Sequence, residues 1–193
     1  MPAAAANRST CSSPPRPTTI DFSRNHFELF GLPARFAVDG SALEHAYHTM
    51  QRSVHPDRYA GAGDTQMRLA LQASARANEA YRTLRDPLTR AEYLLALRGV
   101  DAGGEIDTRL SVDFLTRQLE RREAAEDATR VRDAGALAAL VDEVRREADA
   151  LAAHVAPLLD ACDPAAPARV REWRFLVKLA DDLDALRAAT AEE

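Results

Sequence analysis

The chain has 193 residues, of which 46% are apolar and 6% aromatic, and it carries a net charge of −5. That apolar content can fill the core of one domain or two small ones, and the excess of Ala and Leu over β-branched residues favours helix. The acidic balance argues against bulk binding of nucleic acid or an anionic membrane, and no apolar run approaches the ~20 residues that span a bilayer.

The opening stretch, MPAAAANRSTCSSPPRPTTIDF, is too rich in Ser, Thr, Pro and Ala to bury a core, so residues 1–23 are expected to form a disordered tail. It has no continuous apolar segment of the secretory kind. Pro14, Pro15 and Pro17 oppose the amphipathic helix of a mitochondrial transit peptide. A bacterial cytoplasmic location is therefore expected over the mitochondrial matrix. Cys11 and Cys162 lie far apart, which speaks against a disulfide framework or a Cys-rich zinc site.

His26 to Phe30 reads as a short helix stopped by Gly31-Leu32-Pro33. Ser41 and Glu44 have the spacing of a capping box, and Leu43, Tyr47, Met50 and Val54 form an apolar stripe behind them. That helix ends at QRSVHPDRYA, residues 51–60. Beyond Gly61 and Gly63, Asp64 is positioned to cap a second long helix with the stripe Met67, Leu71, Ser74, Asn78, Tyr81 and Leu84. Two such helices across a tight loop should pack as an antiparallel hairpin. Asp86-Pro87 supplies an N-cap and a first helical residue for another helix that runs to Gly99. The pattern lapses over Gly99–Glu105, which divides the chain into domains 24–98 and 99–193.

Three more helices follow. The first covers about residues 112–127. The second carries the stripe Leu137, Val141, Val144, Ala148, Leu151, Val155 and Leu158, and Pro157 should kink or end it. The third covers about residues 167–190, with Val170, Trp173, Val177, Ala180 and Leu183 on one face. Together they predict a small bundle. This half is the acidic one: residues 98–193 hold 14 basic against 21 acidic side chains, whereas residues 26–97 hold 8 of each.

Two bundle helices have more apolar positions than one core face needs. Val112, Leu115 and Leu119 form one set, and Phe114, Ala125 and Ala128 another; Phe175, Leu179 and Leu186 lie roughly opposite the stripe of the last helix. One apolar stripe is enough for a bundle helix, so the surplus is either a candidate exposed patch or core packed against the first domain or a neighbouring helix.

His55-Pro56-Asp57 admits several readings. His45, His48, His55 and Asp57 are potential metal ligands, but no H-E-x-x-H or Cys pair supports them, so neither a metal nor another cofactor is expected. A hairpin tip offers no cleft for acid–base catalysis, and no enzymatic activity is expected. The tripeptide could simply end a helix, because proline disfavours helical geometry in the residue before it.

A capped helix, H-P-D at its end, then a basic residue, an aromatic and a second helix resemble a J-domain. LFGLPARF (29–36), TLRDPLTRAEYLLALRG (83–99) and DFLTRQLERRE (113–123) are similar to HscB, the Jac-type co-chaperone family of iron–sulfur cluster assembly, over about residues 25–190. The resemblance implies an all-α protein with an N-terminal J-domain, a helical hairpin bearing the H-P-D loop, and a C-terminal three-helix bundle. It implies that His55, Pro56 and Asp57, with Arg52 and Arg58 and aided by His45 and His48, bind an HscA/DnaK-type chaperone and stimulate its ATPase. It also implies that Leu115, Thr116, Leu119 and Phe175 bind an IscU-type scaffold, with Glu120, Arg121 and Glu123 as a polar rim, and that the protein is a monomer. The zinc-binding CxxC pairs of some eukaryotic members are missing around Cys11, which favours a bacterial-type protein. A general J-protein with another client, or a helical adaptor whose H-P-D is only a turn, are the alternatives.

Overall fold

The structure, a computed structural model, describes residues 21–59, 61, 63–100 and 110–192. The predicted tail up to residue 20 and nearly all of the predicted domain boundary lie outside them. Among the described residues there are seven α-helices and no strand: α1 His26–Leu29, α2 Gly40–Val54, α3 Asp64–Arg85, α4 Pro87–Leu97, α5 Val112–Arg130, α6 Ala134–Asp160 and α7 Ala166–Glu192. A single 3-10 turn, Pro56–Tyr59, follows α2.

Two of the predicted caps are corrected. Asp39, not Ser41, caps α2: its Oδ1 accepts from the N–H groups of Ser41 and Ala42 at 2.9 and 3.3 Å and from the Ser41 hydroxyl at 2.7 Å. A carboxylate serves the positive end of a helix better than a hydroxyl, and these hydrogen bonds, led by that of the Ser41 hydroxyl, hold its pKa below the usual carboxylate value. Glu44 instead lies 3.7 Å from His48. Helix α3 starts at Asp64 itself, after Gly63 in a left-handed conformation (φ +91°) and without a side-chain cap. The cap predicted for α4 is present: Asp86 accepts from the Thr89 N–H at 2.8 Å, with Pro87 as the first helical residue.

Helix α3 buries Ala70, Ala73, Ala77, Ala80 and Leu84. The predicted stripe is therefore turned: Leu71 is exposed, and Ser74, Asn78 and Tyr81 form a half-buried flank. Alanine at the contact lets α3 approach α1 and α2 closely, and the polar flank then finds partners across the hairpin. Tyr47 donates its hydroxyl to Asn78 Oδ1 at 2.9 Å, Gln51 also donates to Asn78, and the Tyr47 and Tyr81 rings stack at 4.1 Å.

The long helices α6 and α7 pack against each other, with α5 against both. On α6, Leu137, Val141, Val144, Ala148 and Val155 are buried as expected, but Leu159 replaces Leu158 in the core and Leu151 is only half-buried. Pro157 lies inside the helix, which stops within one turn, at Asp160. On α7 the core takes Val170, Trp173, Leu176, Ala180 and Leu183, leaving Val177 half-buried.

Helix α4 also packs on α6 and α7, so one continuous hydrophobic cluster runs through both halves of the chain. Phe36, in the loop before α2, seals this junction. Its N–H donates to Asp160 Oδ1 at 2.7 Å, its ring meets Trp173 edge-on at 6.3 Å, and the Arg90 guanidinium lies 4.9 Å above it. Glu92 and Arg174 add an ion pair at 3.4 Å.

His26 is buried with its ring stacked on Tyr93 at 4.2 Å, and neither ring nitrogen has a hydrogen-bond partner among the described residues. Burial, and secondarily the charge of Arg76, push its pKa down. Below about pH 6.5 the unfolded chain therefore takes up a proton that the folded chain refuses, so stability falls on acidification through this residue. Thermal melting of wild type and His26→Phe between pH 7.5 and 5 should show the wild type losing more stability below about pH 6.5. Parallel curves would remove His26 as the cause.

Candidate binding surfaces

The first surface is the turn after α2. His55 has the extended geometry that a following proline favours (φ −60°, ψ 127°), which stops the helix. The 3-10 turn is then tied back to the last turn of α2, whose carbonyls lack helical partners. Tyr59 donates its hydroxyl to the Ser53 carbonyl at 3.1 Å, and Arg58 donates to the Arg52 carbonyl at 2.9 Å. The Asp57 N–H donates to His55 Nδ1 at 3.3 Å.

The Asp57 side chain is 88% exposed; among the described residues its carboxylate approaches only His55 Nδ1, at 3.5 Å. The loop's shape is thus maintained by backbone carbonyls, Tyr59 and Arg58, leaving this carboxylate free to meet an external cation. Beside it, His48, Gln51, Arg52, His55 and Arg58 line a shallow depression of about 390 Å³. Arg52 uses one donor on the His48 carbonyl at 3.2 Å. His45 is exposed on the same helix but outside the depression. Among the described residues no three His, Cys, Asp or Glu side chains are grouped to hold a metal ion.

The second surface is a groove of about 730 Å³ between α5 and α7. Of the two apolar sets on α5, Phe114, Ala125 and Ala128 face the core, whereas Leu115 is 48% and Leu119 58% exposed. Phe175 is 38% exposed and packs edge-on against Phe114 at 5.5 Å. Leu115, Leu119 and Phe175 therefore meet in one groove, together with Leu179 and Leu186. Val112 and Thr116 do not join them: both are exposed, and the Thr116 hydroxyl donates to the Val112 carbonyl at 3.0 Å.

Arg121 is not part of a polar rim. It is buried on the other side of α5, where it donates to Glu143 of α6 at 2.9 Å and also binds Glu147. Sequence reasoning also missed that the groove continues along α5 past Gln118, Arg122 and Glu126 to Thr129 and Arg130. Their helical spacing from Leu115 and Leu119 held that signal, but polar residues hid it.

The chain is 50% identical over 167 residues to the co-chaperone protein HscB homolog of Burkholderia vietnamiensis, a match covering 86% of this chain and 95% of the relative. The chain belongs to the HscB co-chaperone family. The chaperone HscB from Vibrio cholerae superimposes with a TM-score of 0.73 at 35% identity, covering 86% of this chain and 99% of that one. Human co-chaperone HscB gives 0.77 at 25% identity, covering 96% and 93%. Residues 110–184 match the family described as the HSCB C-terminal oligomerisation domain. The HscB architecture, an N-terminal J-domain followed by a C-terminal helical domain, is that of α1–α4 and α5–α7.

The division of α5 into core and groove faces can be measured. Leu115→Ala and Leu119→Ala should each change stability by no more than about 0.5 kcal/mol, as exposed positions do. Phe114→Ala should cost ~3–5 kcal/mol, as a buried aromatic does. Urea unfolding of the three variants decides this, and comparable losses in all three would mean that the groove face is core.

Proposed function

We propose that this HscB-family protein stimulates the ATPase of an HscA/DnaK-type chaperone through the H-P-D turn and brings it an IscU-type scaffold held in the α5–α7 groove. It would do so in a bacterial cytoplasm and without catalytic groups of its own. The observation that carries the reading is the Asp57 carboxylate, exposed at the tip of a turn whose shape does not need it. Such a carboxylate can form a charge-assisted bond with an arginine of the chaperone. Arg52 and Arg58, with His48 and His55 lining the same depression, offer donors to acidic partner groups, and Pro56 sets where the turn begins.

The groove supports the second half of the proposal. Leu115, Leu119 and Phe175 expose apolar area in one concavity, as interface anchors do, while α5 keeps its separate core face. Thr116 stands beside the groove and is assigned at most an edge contact. We propose further that the chain alone is a monomer, although the matched family is described as an oligomerisation domain. Sedimentation at increasing concentration tests this, and a dimer dispersed by Leu119→Ala would reassign the groove to a second copy.

Asp57→Asn should abolish stimulation of the chaperone ATPase in a single-turnover assay while leaving the melting temperature unchanged. Undiminished stimulation would overturn the first half. Leu115, Leu119 and Phe175 changed together to Ala should lose scaffold binding, by ~1–2 kcal/mol or more apiece without strict additivity, while chaperone stimulation in the absence of scaffold is kept. Intact scaffold binding by that folded triple variant would overturn the second half.

A further inference from the structure

Gln118 lies on α5 between the groove residues Leu115 and Leu119, and it lines the groove while being only 8% exposed. Its Oε1 accepts from Arg121 Nη1 across a long 3.4 Å, but its Nε2 is buried with no acceptor among the described residues. A buried amide NH2 without any partner is uncommon in native proteins. Turning the amide over gives no relief, because the NH2 would then face the guanidinium, donor against donor. Arg121 is itself fixed by Glu143 and Glu147. The carbonyl end of Gln118 is thus held on the core side of the helix, and its donor end is stranded in the groove wall between the apolar Leu115 and Leu119.

An apolar ligand seated over this position would leave the donor stranded. A ligand with an oxygen at that point would satisfy it, after a small rotation about the soft last torsion of the glutamine. A site that must hydrogen-bond its ligand rejects an analogue lacking the matching group far more strongly than a greasy pocket rejects a size mismatch. The lining runs along α5 from Leu115 to Thr129, about 21 Å at 1.5 Å per residue, long enough for one extended or helical segment.

We infer that Gln118 is the specificity-determining residue of this groove: it donates to an oxygen acceptor carried between the apolar anchors of the scaffold segment that docks against Leu115, Leu119 and Phe175. This rests on the reading of the groove as the scaffold site. The hydrophobic walls supply affinity for many apolar segments. Gln118 selects among them the one whose acceptor falls at its own level.

The experiment is calorimetric titration of purified scaffold protein into Gln118→Leu and Gln118→Glu variants of the full chain, with thermal melts of each. Gln118→Leu keeps the shape and removes the donor, and it should weaken binding about tenfold with a melting temperature equal to or above that of wild type. Gln118→Glu replaces the donor by an acceptor and should weaken binding further. Gln118→Met serves the same purpose as Leu if the branched side chain does not fit. Scaffold variants in which single Asn, Asp, Ser or Thr residues of the docking segment become apolar should include one that loses affinity for wild type but not for Gln118→Leu.

Wild-type affinity in both Gln118→Leu and Gln118→Met would overturn the inference, as would a weakened Gln118→Leu that no scaffold substitution matches. Leu119→Ala and Phe175→Ala separate the two levels. If they lose binding while Gln118→Leu does not, only the role of Gln118 fails. If they bind normally as well, the groove is not the scaffold site.

Discussion

The N–H of Phe36 donates to Asp160 Oδ1 at 2.7 Å, joining the loop that enters the α2–α3 hairpin to the C-terminal end of α6. The ring of the same residue is held from one side by Trp173 and from the other by Arg90. Arg90 is itself half-buried and donates to the Leu84 carbonyl at 2.6 Å, at the end of α3. One aromatic side chain thereby gathers the α2 entry loop, the α3–α4 corner and the ends of α6 and α7. The Glu92–Arg174 pair is more exposed and adds little by comparison. Because α4 buries Ala91, Leu94 and Leu95 in the common core, the turn in one half of the chain and the groove in the other are joined through one continuous core.

Helix α5 shows how one element serves two masters. Phe114 and Leu115 are adjacent, so they point about 100° apart around the helix, one into the core and the other into the groove. Both directions are apolar, and a helix with two apolar faces would be unstable as a surface element unless its third side were strongly polar. That side carries the exposed Asp113, Glu120, Glu123 and Asp127, whereas Arg121 lies on the core face one heptad after Phe114, held by Glu143 and Glu147 of α6, with Arg117 reaching Glu147 at 3.7 Å. Burying a guanidinium is tolerable only because two carboxylates meet it. Their attachment sets the rotation of α5, and that rotation decides which leucines remain in the open.

This dependence explains what could be read from the sequence. Regular signals survived: most of the α6 stripe from Leu137 to Val155 follows from helical spacing and the Asp86-Pro87 start of α4 from capping chemistry, whereas spacing left two apolar sets on α5 and the grouping of Leu115, Leu119 and Phe175 came from the family resemblance. The errors arose where a small or charged residue had the decisive role. In α3 the buried line is four alanines, weaker in hydrophobic signal than the Met67–Leu71 line beside it. At α2, Ser41 and Glu44 fit a capping pattern, yet a carboxylate two residues earlier wins the same N–H groups. Arg121 looked like solvated charge because its partners are on another helix, more than twenty residues away in sequence. Gln118 carried no signal, since an unmet donor becomes visible only once the positions of its neighbours are known.

The two surfaces also differ in the physics by which they can work. The turn presents one exposed carboxylate beside arginines, a charged point contact whose attraction is screened by salt and which governs encounter more than lifetime. The groove is apolar and elongated, so its contribution lies in slow release once water has been expelled. The acidic excess belongs to residues 98–193, the half that carries the groove, while the half that carries the turn is balanced. On the proposed reading, the charge available to steer a partner to the turn is therefore local, set by Arg52, Arg58 and Asp57 and not by the net field of the domain. A partner met at the turn can be exchanged quickly while a segment in the groove stays bound.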